Sequence, residues 1–458
     1  MTQTIVALAT PTGRSGIGVV RLSGDGSLKI AQDLVNDVQF TPAPRRTALR
    51  SLFDHFSGEV IDEALFTYFK APHSFTGEDV IEISCHGSPV LLRHLIDLCL
   101  SLDARLADPG EFSLRALANG RIDLAEAEAI RDLIEAQTSA MVRQAVRQLR
   151  GELSNQLQPL KDDLLNIIVV LESALEFVED DLPETQAASI NKSLRQILAE
   201  ARRLAATFQA GHLIREGLRV ALVGRPNVGK SSLFNKLLGT ERAIVTDVAG
   251  TTRDQLHERF TISDIPVSLI DTAGLRESTD TVESIGVERS KAVMADADLV
   301  VVMLDASDDL TDEDYAILHS VEHLNYIIAL NKIDKTPPSV VEHLMAASKM
   351  SHLREKITPI SARTGENLDE FRTAIVVPFR THDIASGGFL ITDARHHDLL
   401  LRAATDIERS LEDIESKRSE EIVLVGLHNA LLYLGEITGE TTTEDMLTRI
   451  FATFCIGK

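Results

Sequence analysis

The run Gly-Arg-Pro-Asn-Val-Gly-Lys-Ser from Gly224 to Ser231 has the residue types and spacing to wrap a phosphate chain. Backbone N–H groups converge on a β-phosphate only where the chain turns tightly, and glycine permits that by tolerating positive φ. Lys230 would bring a point charge to the β- and γ-phosphates. Ser231 would offer a hydroxyl to Mg²⁺, a hard ion that takes few protein oxygens. Three further clusters follow in order: Asp271-Thr272-Ala273-Gly274, Asn331-Lys332-Ile333-Asp334 and Ser361-Ala362-Arg363. The Asp334 carboxylate can accept from two adjacent N–H donors of guanine, an edge that adenine lacks. Asn331 and Lys332 would buttress the base, and the backbone after Ser361 would reach guanine O6. A buried polar group facing the wrong pattern costs about 1–3 kcal/mol, so GTP is favoured over ATP.

Between the first two clusters lies Thr246-Asp247-Val248-Ala249-Gly250-Thr251-Thr252, a Gly-containing loop able to close over a γ-phosphate. Thr252 is expected as the second Mg²⁺ ligand, with Asp271 in the metal shell and the Gly274 amide sensing the γ-phosphate. With Asn227, Val228, Gly229 and Ser232, these residues complete the expected GTP-contacting set. The position after Asp-Thr-Ala-Gly holds Leu275 rather than a water-orienting glutamine, and leucine cannot polarise water. Two candidates could supply the missing function. The side-chain oxygen of Asn227 could hold a monovalent cation beside the phosphates, and Glu283 could orient water. The residues alone leave both open.

These clusters need a parallel sheet to carry them. Leu218–Val223 reads as an apolar strand feeding the loop, and each later cluster follows its own apolar strand. The segment 216–378 therefore reads as an α/β P-loop domain. Residues 1–118 mix short β-rich runs with Gly and Pro turns and an amphipathic helix near Pro89–Ser101, predicting an α+β domain. From Arg121 the spacing turns helical: Val142, Val146, Leu149, Leu153, Leu157, Leu160 and Leu164, then Ile190, Leu194, Ile197, Ala201 and Leu204. Helical spacing returns from His396 to Arg449. The economical reading is a helical domain, 119–215 and 379–458, interrupted by the nucleotide module.

At 458 residues the chain should divide into two to four domains. Apolar residues make up 44% and aromatics only 4%, which suits helices and a parallel sheet better than a β-sandwich. A net charge of −23 argues against generic polyanion binding, so any RNA contact must be local. The acidic runs at 176–184 and 307–314 read as solvated turns. With no 18-residue apolar span recognised and no signal segment at the start, a cytoplasmic chain with no membrane contact is expected. Three cysteines are too few for a disulfide framework. His55, His73 and His86 lack metal-ligand spacing and read as ordinary polar residues.

Beyond the phosphate and base clusters, TIVALATPTGRSGIGVVRLSG, SFTGEDVIEISCHG, PGEFSLRALANGRIDLAEAEAI, GRPNVGKSS and the ending TRIFATFCIGK resemble the MnmE (TrmE) family of tRNA wobble-uridine modification GTPases, over essentially the whole length. The resemblance implies an N-terminal α+β domain that binds a folate and forms a homodimer, a central helical domain, and an inserted Ras-like GTPase domain activated by K⁺. It implies an FAD-dependent MnmG-type flavoprotein as partner in a heterotetramer acting on tRNA. By position, K⁺ would be held by Asn227, Thr246, Val248 and Thr251, and Glu283 would orient water. A donor such as 5-formyl-tetrahydrofolate or a related reduced folate would meet Arg21, Glu82, Arg121 and Lys458. Cys455 reads three ways. The ending Cys-Ile-Gly-Lys is a poor prenylation box, a small buried hydrophobe is the plain reading, and the resemblance makes it a candidate catalytic thiol.

Competing readings are a ribosome-assembly GTPase of the Era or Der kind and a dynamin-like scaffold. The first would append a basic RNA-binding module, whereas the tail here is acidic and helical. The second would need a basic or apolar membrane-facing surface, and none is visible in the sequence.

Overall fold

Alternation of period two builds the first sheet. In β1 (Ile5–Leu8), β2 (Ser15–Ser23), β3 (Thr47–Phe53), β4 (Val60–Phe69), β5 (Val80–Gly87) and β6 (Arg105–Leu106), every second side chain turns to one face. Ala64, Phe66 and Tyr68 of β4 join Ile81, Ile83 and Cys85 of β5 in a core with Val20 and Leu22, beneath the helices Ser27–Leu34 and Pro89–Ser101. The spatial order is β3-β4-β5-β2-β1-β6, antiparallel except for the β1–β6 pair. The opposite face carries two rows. One joins Leu49, Leu65, Ser84 and Val19, and the other joins Thr67, Glu82 and Arg21.

The computed structural model describes residues 3–176, 184–240, 258–271, 297–346, 351–379 and 388–457. It falls into two compact units. One comprises Met1–Ile134, Val146–Leu198 and Arg402–Lys458, and the other Glu135–Ala145 and Ala199–Leu401.

In the first unit the long helices Glu152–Glu176 and Glu420–Thr438 pack against each other, and Leu157, Leu164 and Leu171 of the first and Leu427, Leu434 and Ile437 of the second are buried. Contrary to the sequence expectation, Glu420–Thr438 is long and apolar enough to cross a membrane, because only two charged residues interrupt its best window. Its Val423, Leu424, Leu427, Ala430 and Leu434 are buried within the protein, while Ile422, Val425 and Leu432 are exposed. The stripe read as continuous from Val142 to Leu164 is two helices, Ser139–Leu149 and Glu152–Glu176, broken at Gly151 with φ 74°. Val142 is exposed. Gln144 and Gln148 turn inward instead and satisfy their amides on the Gly388 and Ala125 carbonyls at 2.8 Å each.

The second unit holds the sheet β12-β11-β10-β7-β9-β8, built from β7 (Leu218–Val223), β8 (Glu258–Ile262), β9 (Ile265–Asp271), β10 (Leu299–Asp305), β11 (Tyr326–Asn331) and β12 (Ile357–Pro359). All neighbours are parallel except β8 and β9. Covered on both faces, β10 and β11 are buried at every position, which is why they read as unbroken apolar runs. Strand β7 lies between β9 and β10, so chain direction across the sheet reverses at its carboxyl end, where an open α/β sheet leaves a crevice.

Candidate nucleotide-binding site

The Gly-rich loop leaves β7 at that crevice. Gly224 has φ 153°, and a Cβ there would lie 2.5 Å from the Met303 carbonyl oxygen of β10. Asn227 adopts the left-handed region at φ 64°, and Gly229 follows at φ 103°. A Cβ on Gly229 would lie 2.3 Å from Asn331 Nδ2, so only glycine allows β11 to approach the loop this closely. The helix Lys230–Thr240 begins immediately afterwards, so its positive dipole end faces the loop in the manner that attracts an anion.

Side chains fix the loop. Asn331 is buried; its Nδ2 donates to the Val228 carbonyl at 2.7 Å and its Oδ1 accepts from the Ala362 N–H at 2.9 Å. Its amide thus joins the phosphate loop to the Ser-Ala-Arg segment, a wider task than buttressing a base. The Lys230 ammonium donates to the Gly224 and Arg225 carbonyls at 2.8 Å each. Asn227, Ser231 and Ser232 are exposed, while Val228 is buried.

The base-reading segment is fixed in the same way. Lys332 sits at φ 70°, and its ammonium donates to Asp305 Oδ2 at 2.5 Å. Asp305 Oδ1 accepts from the Ser307 N–H at 2.9 Å and hydroxyl at 2.6 Å. Burial alone would push the Asp305 carboxyl up, but Lys332 and Ser307 outweigh it and hold the group below the usual carboxylate range. Asp334 is exposed and accepts from the Ser361 hydroxyl at 2.7 Å, while Ser361 Oγ accepts from the Thr364 N–H at 3.1 Å. Ser361 and Ala362 are buried and Arg363 is exposed. Lys230, Ser231, Asn331, Lys332, Asp334 and Ser361 therefore stand at the loops that follow β7, β11 and β12. Asp271 closes β9. The expected contacts at Thr246, Asp247, Val248, Ala249, Gly250, Thr251, Thr252, Thr272, Ala273, Gly274 and Glu283 lie outside the described residues, as does Lys458.

The sequence reading missed Asp305 and Asp314. The run 307–314, read as a solvated turn, contains a capping box in which Thr311 and Asp314 bond reciprocally at the start of the helix Asp312–Ser320. Asp314 is wholly buried. The signal was present as Thr-x-x-Asp ahead of a helical stretch.

In the first unit, Arg21 and Glu82 are cross-strand neighbours. Arg21 Nε and Nη2 donate to Glu82 Oε1 at 2.9 and 2.7 Å, and its Nη1 donates to the Gly457 carbonyl at 3.2 Å. The chain end is drawn in because Gly457, at φ 93°, passes so close to Leu8 that a Cβ would lie 2.5 Å from its carbonyl oxygen. Phe451 and Phe454 anchor the tail against Leu124 and Ala127. Arg121 is exposed, with its aliphatic stem beside Gly77. Cys455 is exposed, which overturns its reading as a small buried hydrophobe. Burial pushes the Cys85 and Cys99 thiols up to about 11 and about 12, so both stay protonated near neutrality. His55 and His86 are engaged by Ser101 and Asp62, and no His/Cys/Asp/Glu group suited to a metal occurs among the described residues.

A central parallel strand feeding a Gly-rich loop and helix, with Asn-Lys-x-Asp and Ser-Ala at the neighbouring strand ends, defines a P-loop GTPase. The MnmE helical domain model matches residues 124–455, and the model for the N-terminus of the GTP-binding protein TrmE matches 4–121. The protein from Aquifex aeolicus (strain VF5) called tRNA modification GTPase MnmE is 43% identical, with 100% of each chain covered. A protein of the same name from Koribacter versatilis (strain Ellin345) is 43% identical over 99% of each. Era from Aquifex aeolicus, solved with GDP and aluminium fluoride, aligns with 41% of this chain and 66% of its own at 30% identity and a TM-score of 0.30. The chain belongs to the MnmE (TrmE) family.

Proposed function

We propose that the chain is a potassium-activated GTPase serving tRNA modification. With an FAD-dependent MnmG-type flavoprotein it installs an aminomethyl or carboxymethylaminomethyl group at carbon 5 of the wobble uridine of certain tRNAs. The observation that carries this reading is Asn227, exposed and left-handed at φ 64° within the phosphate loop. Its amide oxygen can complete a shell for K⁺ with Thr246, Val248 and Thr251, while Ser231 and Thr252 hold Mg²⁺. A cation there offsets charge developing between the phosphates, the task an arginine finger performs elsewhere. Glu283 orients the water that Leu275 cannot. Replacing K⁺ by Na⁺ at constant ionic strength slows turnover sharply, because the smaller ion is misplaced among fixed oxygens. Equal rates in the two salts would remove Asn227 from this role.

The one-carbon donor is a reduced folate bound by Arg21, Glu82, Arg121 and Lys458. Arg21 engages only Oε1 of Glu82, and among the described residues Oε2 carries no hydrogen bond, which leaves an acceptor for the donor-rich pterin ring. Basic groups suit the ligand's carboxylates. Cys455, exposed on the same tail as Gly457, is a candidate thiol for the transfer. Residues 1–118 form the homodimer, helical segments 119–215 and 379–458 make the central domain, and 216–378 is the inserted GTPase domain. Calorimetry with 5-formyl-tetrahydrofolate tests the pocket: saturable binding weakened by Glu82→Ala is expected, and absence of binding by the intact protein would sink the assignment.

A further inference from the structure

Arg225 is the second residue of the phosphate loop, and its side chain turns away from the loop toward the helix Asp312–Ser320. Its Nε donates to Asp314 Oδ1 at 2.8 Å. The two oxygens of Asp314 divide their tasks, because Oδ2 accepts from the N–H and hydroxyl of Thr311 at 2.9 Å each. Asp314 is 0% exposed and Arg225 17% exposed. Arg225 Nη2 is buried with no hydrogen-bond partner among the described residues. A buried ion pair with an unsatisfied donor is a poor way to gain stability, since desolvation of both charges and of the orphaned N–H offsets the attraction. The pair's other consequence is positional. The Arg225 carbonyl is one of the two on which the Lys230 ammonium rests. The side chain of Arg225 therefore fixes the backbone that aims the phosphate-binding lysine.

We propose that Asp314 is a positioning residue for GTP binding: through Arg225 it fixes the first half of the phosphate loop, as Asn331 fixes the second half through Val228. The Arg225 side chain is committed to Asp314, so both act through the loop backbone. Their loss widens the range of loop conformations, so binding must order the loop at its own expense. The effect falls on affinity for both GDP and GTP, whose phosphates meet this loop alike.

The test uses the full-length protein and a fluorescent GDP with Mg²⁺. Arg225→Ala and Asp314→Asn are each expected to raise the dissociation constant about five- to tenfold and to raise KM for GTP correspondingly, with kcat at saturation within about twofold. Arg225→Lys restores part of the affinity. The double variant is no worse than the weaker single one, because both remove the same constraint. Leu318→Ala serves as the structural control, since it trims the buried face of the same helix and removes none of the hydrogen bonds that Asp314 makes to Arg225 and Thr311. It lowers the melting temperature and leaves the dissociation constant unchanged. The proposal is overturned by nucleotide affinity that is unaltered in Arg225→Ala, by additive losses in the double variant, or by equal weakening in Leu318→Ala.

Discussion

Two polar side chains at the site differ in burial, and their substitutions should fail differently. Asn331 is 2% exposed and satisfies two backbone groups in separate loops, the Val228 carbonyl and the Ala362 N–H. Truncation to alanine orphans both, at about 1–3 kcal/mol for each buried group left unpaired. Asn331→Ala should therefore lower stability in urea by about 2 kcal/mol or more and weaken nucleotide binding with it. Asp334 is exposed and held by the Ser361 hydroxyl, so its replacement leaves the fold intact. Asp334→Asn exchanges an acceptor for a donor. It should weaken GDP by about 10- to 100-fold, or about 1.4–2.7 kcal/mol, and improve binding of the xanthine nucleotide, which presents an oxygen where guanine has an amino group. Competition of the two nucleotides against a fluorescent GDP checks both arms. Most of these residues were legible because guanine and phosphate dictate residue type at fixed offsets after a strand. Asp305 was not, and of Asp314 only the capping role was, since the ion pairs each makes are with a residue far along the chain, Lys332 or Arg225.

Elements were legible where one constraint acted alone. The strand Leu218–Val223 and the helix Pro89–Ser101 have the bounds read from the sequence, set by a glycine after one and a proline opening the other. The break at Gly151 was hidden because apolar spacing ran through it, and only tertiary partners make Gln144 and Gln148 the inward residues. At the phosphate loop the backbone itself is the constraint. Gly229→Ala would meet both a positive φ and a 2.3 Å clash with Asn331 Nδ2, so loss of nucleotide binding is expected, read by the same fluorescence titration. A second element-scale device joins the helix Phe208–Glu216 to the residue preceding the helix Ala394–Glu415. Arg215 Nη1 donates to Asp393 Oδ2 at 2.6 Å, with both side chains largely buried. Burial would raise the Asp393 carboxyl, yet His396 and Arg215 hold it well below the usual range. A depressed folded pKa contributes stability that is present above the unfolded value of about 3.9 and lost as pH falls below it. Arg215→Gln, which removes one of the two positive groups facing Asp393 and leaves His396 and the Arg395 N–H in place, should cost about 1.5–3 kcal/mol near neutrality. It should also flatten the loss of melting temperature between pH 5 and 3; an acid limb identical to the parent's would show that Arg215 does not set the Asp393 ionisation.

The candidate ligand-binding residues divide between the two units. Every described residue of the nucleotide site, from Gly224 to Ser361, belongs to the unit Ala199–Leu401, whereas Arg21, Glu82 and Gly457 belong to the other. Each unit has its own sheet and core, one built on Val20, Phe66 and Ile83 and the other on Val220, Leu269 and Val301. A ligand that binds only the folded form of one unit stabilises that unit by RT ln(1 + [L]/Kd), about 2.7 kcal/mol at a hundredfold excess over Kd. For units of 150–250 residues this raises a melting temperature by about 2–4 °C per kcal/mol, or about 5–10 °C in all. Scanning calorimetry of the intact chain should therefore resolve two transitions. GDP with Mg²⁺ should raise one and leave the other in place, and 5-formyl-tetrahydrofolate should do the reverse. Glu82→Ala should abolish the folate shift and spare the GDP shift, while Gly229→Ala should do the opposite. If GDP instead raises both transitions equally, or a single transition answers to either ligand, the two units unfold as one cooperative body, and binding at either site then stabilises the other. A folate shift that survives Glu82→Ala would place the folate contact elsewhere while leaving the nucleotide assignment untouched.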